Sequence, residues 1–388
     1  MSGRESSNTS GRDACEKSGK RQYVGEVAYL YAYDVASVIE TESIQRLLGE
    51  PVKRFGIFAS RRVPKEMFFY RTRMQMLRLP AIERVGPHGP VQVERTVKLF
   101  SVGAVSICIR VPVVVEHIQN LALYHDLRFG EVSVHDLAKE LAQDVLRDLG
   151  ALALRPVGAL HEEEAYTVFC IRAPVTEADG KPVSGESWLL KRRRQVASAL
   201  TQETDLAHLS EQEADESTDM FLSYYDQDLV VVDWDAAMIV DEPANWPETL
   251  HVMELANVQL AELETYDRTL DEALEKSYRD LNRRSPWRGQ ATLAGLREIR
   301  VDLARLADEL SNITKFFGDW HLARIYQNLS ARFHLADWQR TIDNKVRTLD
   351  GLYQILRQDQ LNRWMLVLEI MIVLLFVIDL IVIIPWGK

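Results

Sequence analysis

The chain has 388 residues and a formal net charge of −11. That length exceeds what one hydrophobic core comfortably spans, and the acidic balance argues against a protein that coats nucleic acid generally, a role needing a basic footprint. Cys15, Cys108 and Cys170 lie far apart with no CxxC pair, which removes a disulfide framework and a zinc knuckle.

Residues 1–22 are rich in Ser, Gly and charge, carry no apolar stretch of the kind a secretory signal needs, and read as disordered. An α/β head follows over residues 23–242. Within it Tyr29 to Ile39 is β-branched and aromatic and predicts a strand. Pro64 opens a helix through Lys65 to Leu79, stopped by Pro80, and the cluster from Gly86 to Pro90 predicts a turn. Val97 to Val111 is nearly all apolar and predicts buried strands around Gly103. Two helices are expected next, Val113 to His125 and Val134 to Leu149, the second capped by Ser133 with Asp136 three residues on. Ala165 to Arg172 predicts a strand, Glu186 to Glu213 a polar amphipathic helix, and Phe221 to Tyr225 with Leu229 to Val232 a hairpin around Asp226, Gln227 and Asp228.

After Pro247 the period turns helical. Met253, Ala256, Leu260, Leu263, Asp267 and Leu270 fall at spacings of three and four. After a break at Ser285 and Pro286 the pattern resumes from Leu296 to Phe317, and a third run from Asp319 continues through Ile342, Val346, Leu349 and Tyr353. Sustained spacing of this kind predicts coiled-coil-like packing, here an antiparallel stalk over residues 243–363 whose last helix runs unbroken for roughly 100 Å.

Residues 364–386 are the most apolar part of the chain. Between Trp364 and Trp386 the only formal charges are Glu369 and Asp379, and as a helix the run reaches about 31 Å, close to the hydrocarbon thickness of a bilayer. Its aliphatic residues supply roughly −5 to −10 kcal/mol of insertion free energy against about 2.5 to 3.5 for each acid at mid-bilayer. The fold class expected is therefore a soluble α/β (or α+β) head, a long antiparallel coiled-coil-like stalk and one C-terminal transmembrane helix. Lys345, Arg347, Arg357 and Arg363 before the span keep the N-terminal region on the cytoplasmic side of an inner or plasma membrane, or on the matrix side in a mitochondrion.

Candidate chemistry is sparse. Acids in a membrane helix face protein or water, so Glu369 and Asp379, about 80° apart around the helix, imply other copies of the chain or another membrane protein. Asp267 at a seam position could fix register. Lys191, Arg192, Arg193 and Arg194 could contact phosphate or lipid head groups, although such a run is more often a solvated helix face. His161 precedes Glu162, Glu163 and Glu164 without a second histidine four residues on, so the zincin pattern is absent; Asp226, Asp228, Asp233 and Asp235 are read as turn acids before a metal site. No glycine-rich phosphate loop and no nucleophile elbow is present, so no catalytic, cofactor-binding or metal residue is assigned.

Leu99, Phe100, Gly103, Ala104 and Val105, the hairpin around Tyr225 and Asp228, and Arg363, Trp364 and Met365 opening the span resemble the family of membrane proteins named for being required for meiotic nuclear division, from Val97 to the C-terminus. That resemblance implies an anchored, oligomeric scaffold facing a ribosome-containing compartment and no catalytic residues. The reading is a tail-anchored homo-oligomeric scaffold or tether, with a lipid bilayer and a ribosome or membrane protein as partners. The alternatives are a channel-like or regulatory assembly with Glu369 and Asp379 along a path, and an enzyme whose site on the head is illegible. Cora-type magnesium channels resemble the chain only in architecture, since they need a second span and a Gly-Met-Asn signature.

Overall fold

In the computed structural model the described residues are 22–282, apart from 55–73, 88, 158–159, 161–162 and 177–179, together with 301 and 320–383. The aromatic strand starts earlier than expected and forms β1 (Tyr23–Asp34). Successive side chains leave a strand on opposite faces, so Tyr29, Tyr31 and Tyr33 enter one hydrophobic cluster while Ala28, Leu30 and Ala32 enter another. Both faces of the sheet around β1 are therefore buried, and both need a cover.

The further strands are β2 (Ala36–Ile39), β3 (Arg46–Leu47), β4 (Glu50–Pro51), β5 (Lys53–Arg54), β6 (Gln75–Gly86), β7 (Gly89–Leu99), β8 (Ala104–Val115), β9 (Arg128–Phe129), β10 (Val132–Ser133), β11 (Ala153–Pro156), β12 (Glu164–Arg172), β13 (Phe221–Leu222), β14 (Leu229–Val232) and β15 (Ala236–Asp241). Among the described residues a nine-stranded sheet runs β13-β14-β15-β12-β1-β8-β7-β6-β5. Neighbours are antiparallel except β12 and β15, which are parallel. The β7–β8 turn closes where expected, on Gly103, whose φ of 107° lies in the left-handed region.

The helices are α1 (Val134–Leu149), α2 (Gly185–Leu200), α3 (Glu211–Glu216), α4 (Trp246–Asn282), α5 (Trp320–Arg332) and α6 (Leu335–Ile383). α1 begins with the expected capping box, Ser133 and Asp136 satisfying each other's backbone N–H. With α2 and a 3-10 turn over Ile118–Tyr124 it supplies cover for the tyrosine face, where Trp188 is fully buried. α4 covers the other face, and α5 and the first half of α6 pack behind it.

Several expectations are corrected. Val113–Val115 belong to β8 instead of opening a helix, because Val113 and Val115 are buried while Val114 between them is exposed, the alternation of a strand. Leu79 and Pro80 lie in β6, where a bulge between Leu79 and Ile82 absorbs the proline; residues 65–73 of the helix expected there lie outside those described. The helix expected from Glu186 to Glu213 is two, α2 and α3. The third long helix is not one rod. It breaks between α5 and α6, where Phe333 is buried and His334 takes a φ of 49°.

The separate coiled-coil stalk is not formed either. The helical period after Pro247 is used to roof the sheet, and α4, α5 and α6 share one hydrophobic cluster with β1, β8, β12, β14 and β15. Among the described residues no helix is long and apolar enough to cross a membrane. That finding overturns the expected transmembrane helix, the tail anchor and the single-pass membrane location. Residues 1–21, the second long helical run apart from Val301, and Trp386 lie outside the described residues.

Candidate functional site

From Thr249 to Gln259 every residue of α4 is buried, the polar ones included. Thr249, His251, Glu254, Asn257, Gln259 and Glu262 are all buried alongside Leu250, Val252, Met253 and Ala256. A helix in that position must satisfy its polar groups within the protein. Asn257 Nδ2 donates to the Glu164 carbonyl at 3.0 Å, and the Tyr326 hydroxyl of α5 donates to Gln259 Oε1.

The most concentrated polar centre lies where α4 crosses β7 and β8. The Lys98 ammonium donates to Glu254 Oε2 and sits 3.2 Å from His251 Nδ1, and Ser106 Oγ reaches Glu254 Oε1 at 3.5 Å. All four side chains are buried. Burial pulls the Lys98 ammonium down to about 7, with the Arg78 charge adding to the effect, and pulls His251 well below its ordinary value, assisted by the Lys98 charge. A lysine, an imidazole, a carboxylate and a hydroxyl are the parts of an acid–base centre, but no substrate atom can touch them unless α4 lifts. The arrangement acts as a clamp between sheet and roof.

Along the same sheet face burial pushes two carboxyls toward their protonated forms. Glu164 is pushed up to about 8, first by burial, then by its hydrogen bond to Glu264 and the charges of Glu264, Asp235 and Glu163. Asp34 is pushed up to about 7 by burial, against the opposing pull of the Ala36 N–H and the Arg268 charge. A carboxyl whose folded pKa is raised contributes stability that is complete below its unfolded value and is lost as pH rises through the folded value. Urea midpoints of wild type should therefore fall relative to Glu164→Gln as pH rises from about 4.5 to 8. Parallel curves for the two proteins across that window would refute the assignment.

The structure scatters the residues singled out from sequence. Asp267 faces α6, where Lys345 Nζ reaches Asp267 Oδ1 at 2.7 Å and Asp271 Oδ1 at 2.6 Å, a cross-helix contact suited to fixing register. In α2, Arg192 stacks on the Trp188 ring, Arg193 pairs with Asp215, and Arg194 pairs with Glu211 while donating to the Leu206 and Leu209 carbonyls. Glu163 lies 2.6 Å from His135, Asp228 caps its own loop, and Asp233 faces Arg332. Among the described residues no group of three or more His, Cys, Asp or Glu could hold a metal ion. Trp364, Glu369 and Asp379 are exposed near the end of α6.

Lys98, Ser106, His251 and Glu254 escaped the sequence reading. Lys98 inside the largely apolar run Val97–Val111 was the available signal, since a buried ammonium requires a partner.

A family model described as the N-terminal domain of the uncharacterized protein MJ0711 matches residues 24–246. The protein MJ0711 of Methanocaldococcus jannaschii, also described as uncharacterized, is 22% identical over 219 residues, covering 56% of this chain. The match spans 65% of that relative's own length. No solved structure matches. The matched segment holds the whole sheet and the layer of α1 to α3, and it stops where α4 begins. Lys98 and Ser106 lie inside it and His251 and Glu254 beyond it, so the buried clamp joins the matched region to the helices that follow. With more than half of its length matched, the chain belongs to the family of the MJ0711 N-terminal domain.

Proposed function

We propose that the protein is a non-catalytic, homo-oligomeric scaffold whose copies assemble through the distal part of α6. The observation that carries this reading is the run from Trp364 to Ile378, in which each large apolar side chain is 47% to 72% exposed and only Glu369 interrupts. Contiguous apolar surface of that extent marks an interaction site, and a helix apolar on every side belongs in an interior. One partner helix covers only a stripe, so a bundle of several copies suits this surface better than a pair. Each contact would bury on the order of 800 Å² per partner, the size of a specific interface. Glu369 and Asp379 would then sit at or beside the contacts and disfavour slipped registers. The burial of the Lys98 centre favours a structural role over catalysis.

Light scattering on the full chain at two concentrations tests this. Wild type should be a multimer, and Leu368→Lys with Leu375→Lys, both at exposed positions, should shift it to monomer with an unchanged melting temperature. A monomeric wild type, a multimer unaffected by the two lysines, or recovery as a monomer only with lipid vesicles would overturn the proposal.

A further inference from the structure

The sheet splits at one end. The β7–β8 ladder runs from Leu99 and Val105 only as far as Glu94 and Arg110, although β7 reaches back to Gly89 and β8 continues to Val115. Beyond that last pair β7 stays with β6 and β8 stays with β1, so the facing edges of the two strands no longer pair with each other. Pro112 suits such an edge, since it has no N–H to offer a ladder. The gap between the edges is a cleft of about 240 Å³ with Val91 on one side, Val111 and Val113 on the other, and Tyr124, Leu127 and Phe129 beneath. The exposed Val114 marks its mouth. A space somewhat under the roughly 300 Å³ at which ligand pockets usually begin takes a small apolar body.

The cations beside this cleft lack an acid. Arg84 is the cross-strand partner of Val91, and Arg95 leaves β7 on the same face as Val91 and Val93. Arg95 Nη2 donates to the Pro80 carbonyl at 3.0 Å, while its Nε is buried with no hydrogen-bond partner among the described residues. Burial lowers the Arg95 pKa and the Arg84 charge lowers it further, so the two guanidinium groups stand within electrostatic reach of each other. Neither forms an ion pair with a described residue. Glu83 and Glu94, their neighbours in sequence, leave the strands on the opposite face, where Glu94 meets Arg110 at 3.5 Å. Asp126, beside Leu127, is exposed and acts on Tyr29 and Tyr31. Two like charges held together next to an apolar cleft are relieved by an anion, and a carboxylate matches the planar guanidinium in geometry as well as in sign.

We propose that the cleft binds a small amphipathic acid, its aliphatic body between Val91 and Val113 and its carboxylate on Arg84 and Arg95. A neutral or cationic molecule of the same size would leave the arginines uncompensated. The inference stands apart from self-assembly through α6, since it rests on different residues.

The test is isothermal titration calorimetry of the full chain with octanoate, octanol and octylamine, which share one tail and differ in the head. Octanoate should bind saturably, octanol about tenfold more weakly, and octylamine not at all. Arg84→Gln should weaken octanoate about tenfold and leave octanol unchanged, whereas Glu83→Gln, on the other face of the same strand, should alter neither. Val91→Phe, which fills the cleft, should abolish both. Leu368→Lys with Leu375→Lys should leave octanoate binding intact, which separates the cleft from the apolar end of α6. The proposal would be overturned by no saturable octanoate binding, by octanol binding as tightly as octanoate, by indifference to Arg84→Gln, or by loss on the two α6 lysines with retention in Val91→Phe. Glu83 and Arg84 are exposed, so their variants should melt with wild type, and the comparison of head groups decides the matter without Val91→Phe should that variant fail to fold.

Discussion

Replacing Lys98 with methionine should cost about 3 to 5 kcal/mol of folding stability, measured as a shift in urea midpoint at constant slope. The side chains are of similar length, so little packing is lost. What is lost is the partner of the buried Glu254 carboxylate, whose remaining contacts are a 3.5 Å approach from Ser106 and a 3.7 Å approach to His251. An uncompensated charge in that interior is far costlier than the pair itself is favourable, so Lys98→Met combined with Glu254→Leu should recover most of the loss. If Lys98→Met alone were within about 1 kcal/mol of wild type, the clamp would not hold the roof to the sheet.

Alanine at Gly103 should be comparably severe, at least about 3 kcal/mol, because two penalties coincide. The φ of 107° is a conformation that L side chains rarely adopt, and a Cβ built there would fall 1.6 Å from the Ala36 carbonyl oxygen. The neighbouring backbone cannot withdraw cheaply, since the N–H groups of Val35 and Ala36 both donate to the Gly103 carbonyl, at 3.0 and 3.2 Å. Relief of the clash would break the junction of β1 and β2 with the β7–β8 turn. A thermal melt of Gly103→Ala close to wild type would show that this junction yields more easily than its geometry implies.

Local signals located much of the head. The β-branched aromatic run of β1, the Ser133 and Asp136 cap, the glycine at the β7–β8 turn and the acidic loop of the β13–β14 hairpin each act through neighbours in sequence. The features that escaped depend on distant ones. β15 is fixed by its parallel pairing with β12, which no local pattern encodes. The break before α6 contains neither proline nor glycine; it is set by Phe333 packing on Tyr166 at 5.2 Å and by Arg332 reaching Asp219 at 2.7 Å. The spacing of apolar residues in α4 was legible, but it cannot say whether the covered face meets another helix or a sheet. The polar centre was hidden for the same reason, since Lys98 and Glu254 are 156 residues apart and come together only when the roof closes.

Because the roof seals the second face of the sheet, the end of the family match and the limit of cooperative folding fall at different places along the chain. A fragment cut at Trp246 would keep the matched segment intact yet leave Leu30, Val168 and Ile239 facing water, and it should aggregate on expression. Extending the cut past Tyr353 returns that cover, so the smallest autonomous piece of this protein should be longer than the segment that the family model matches.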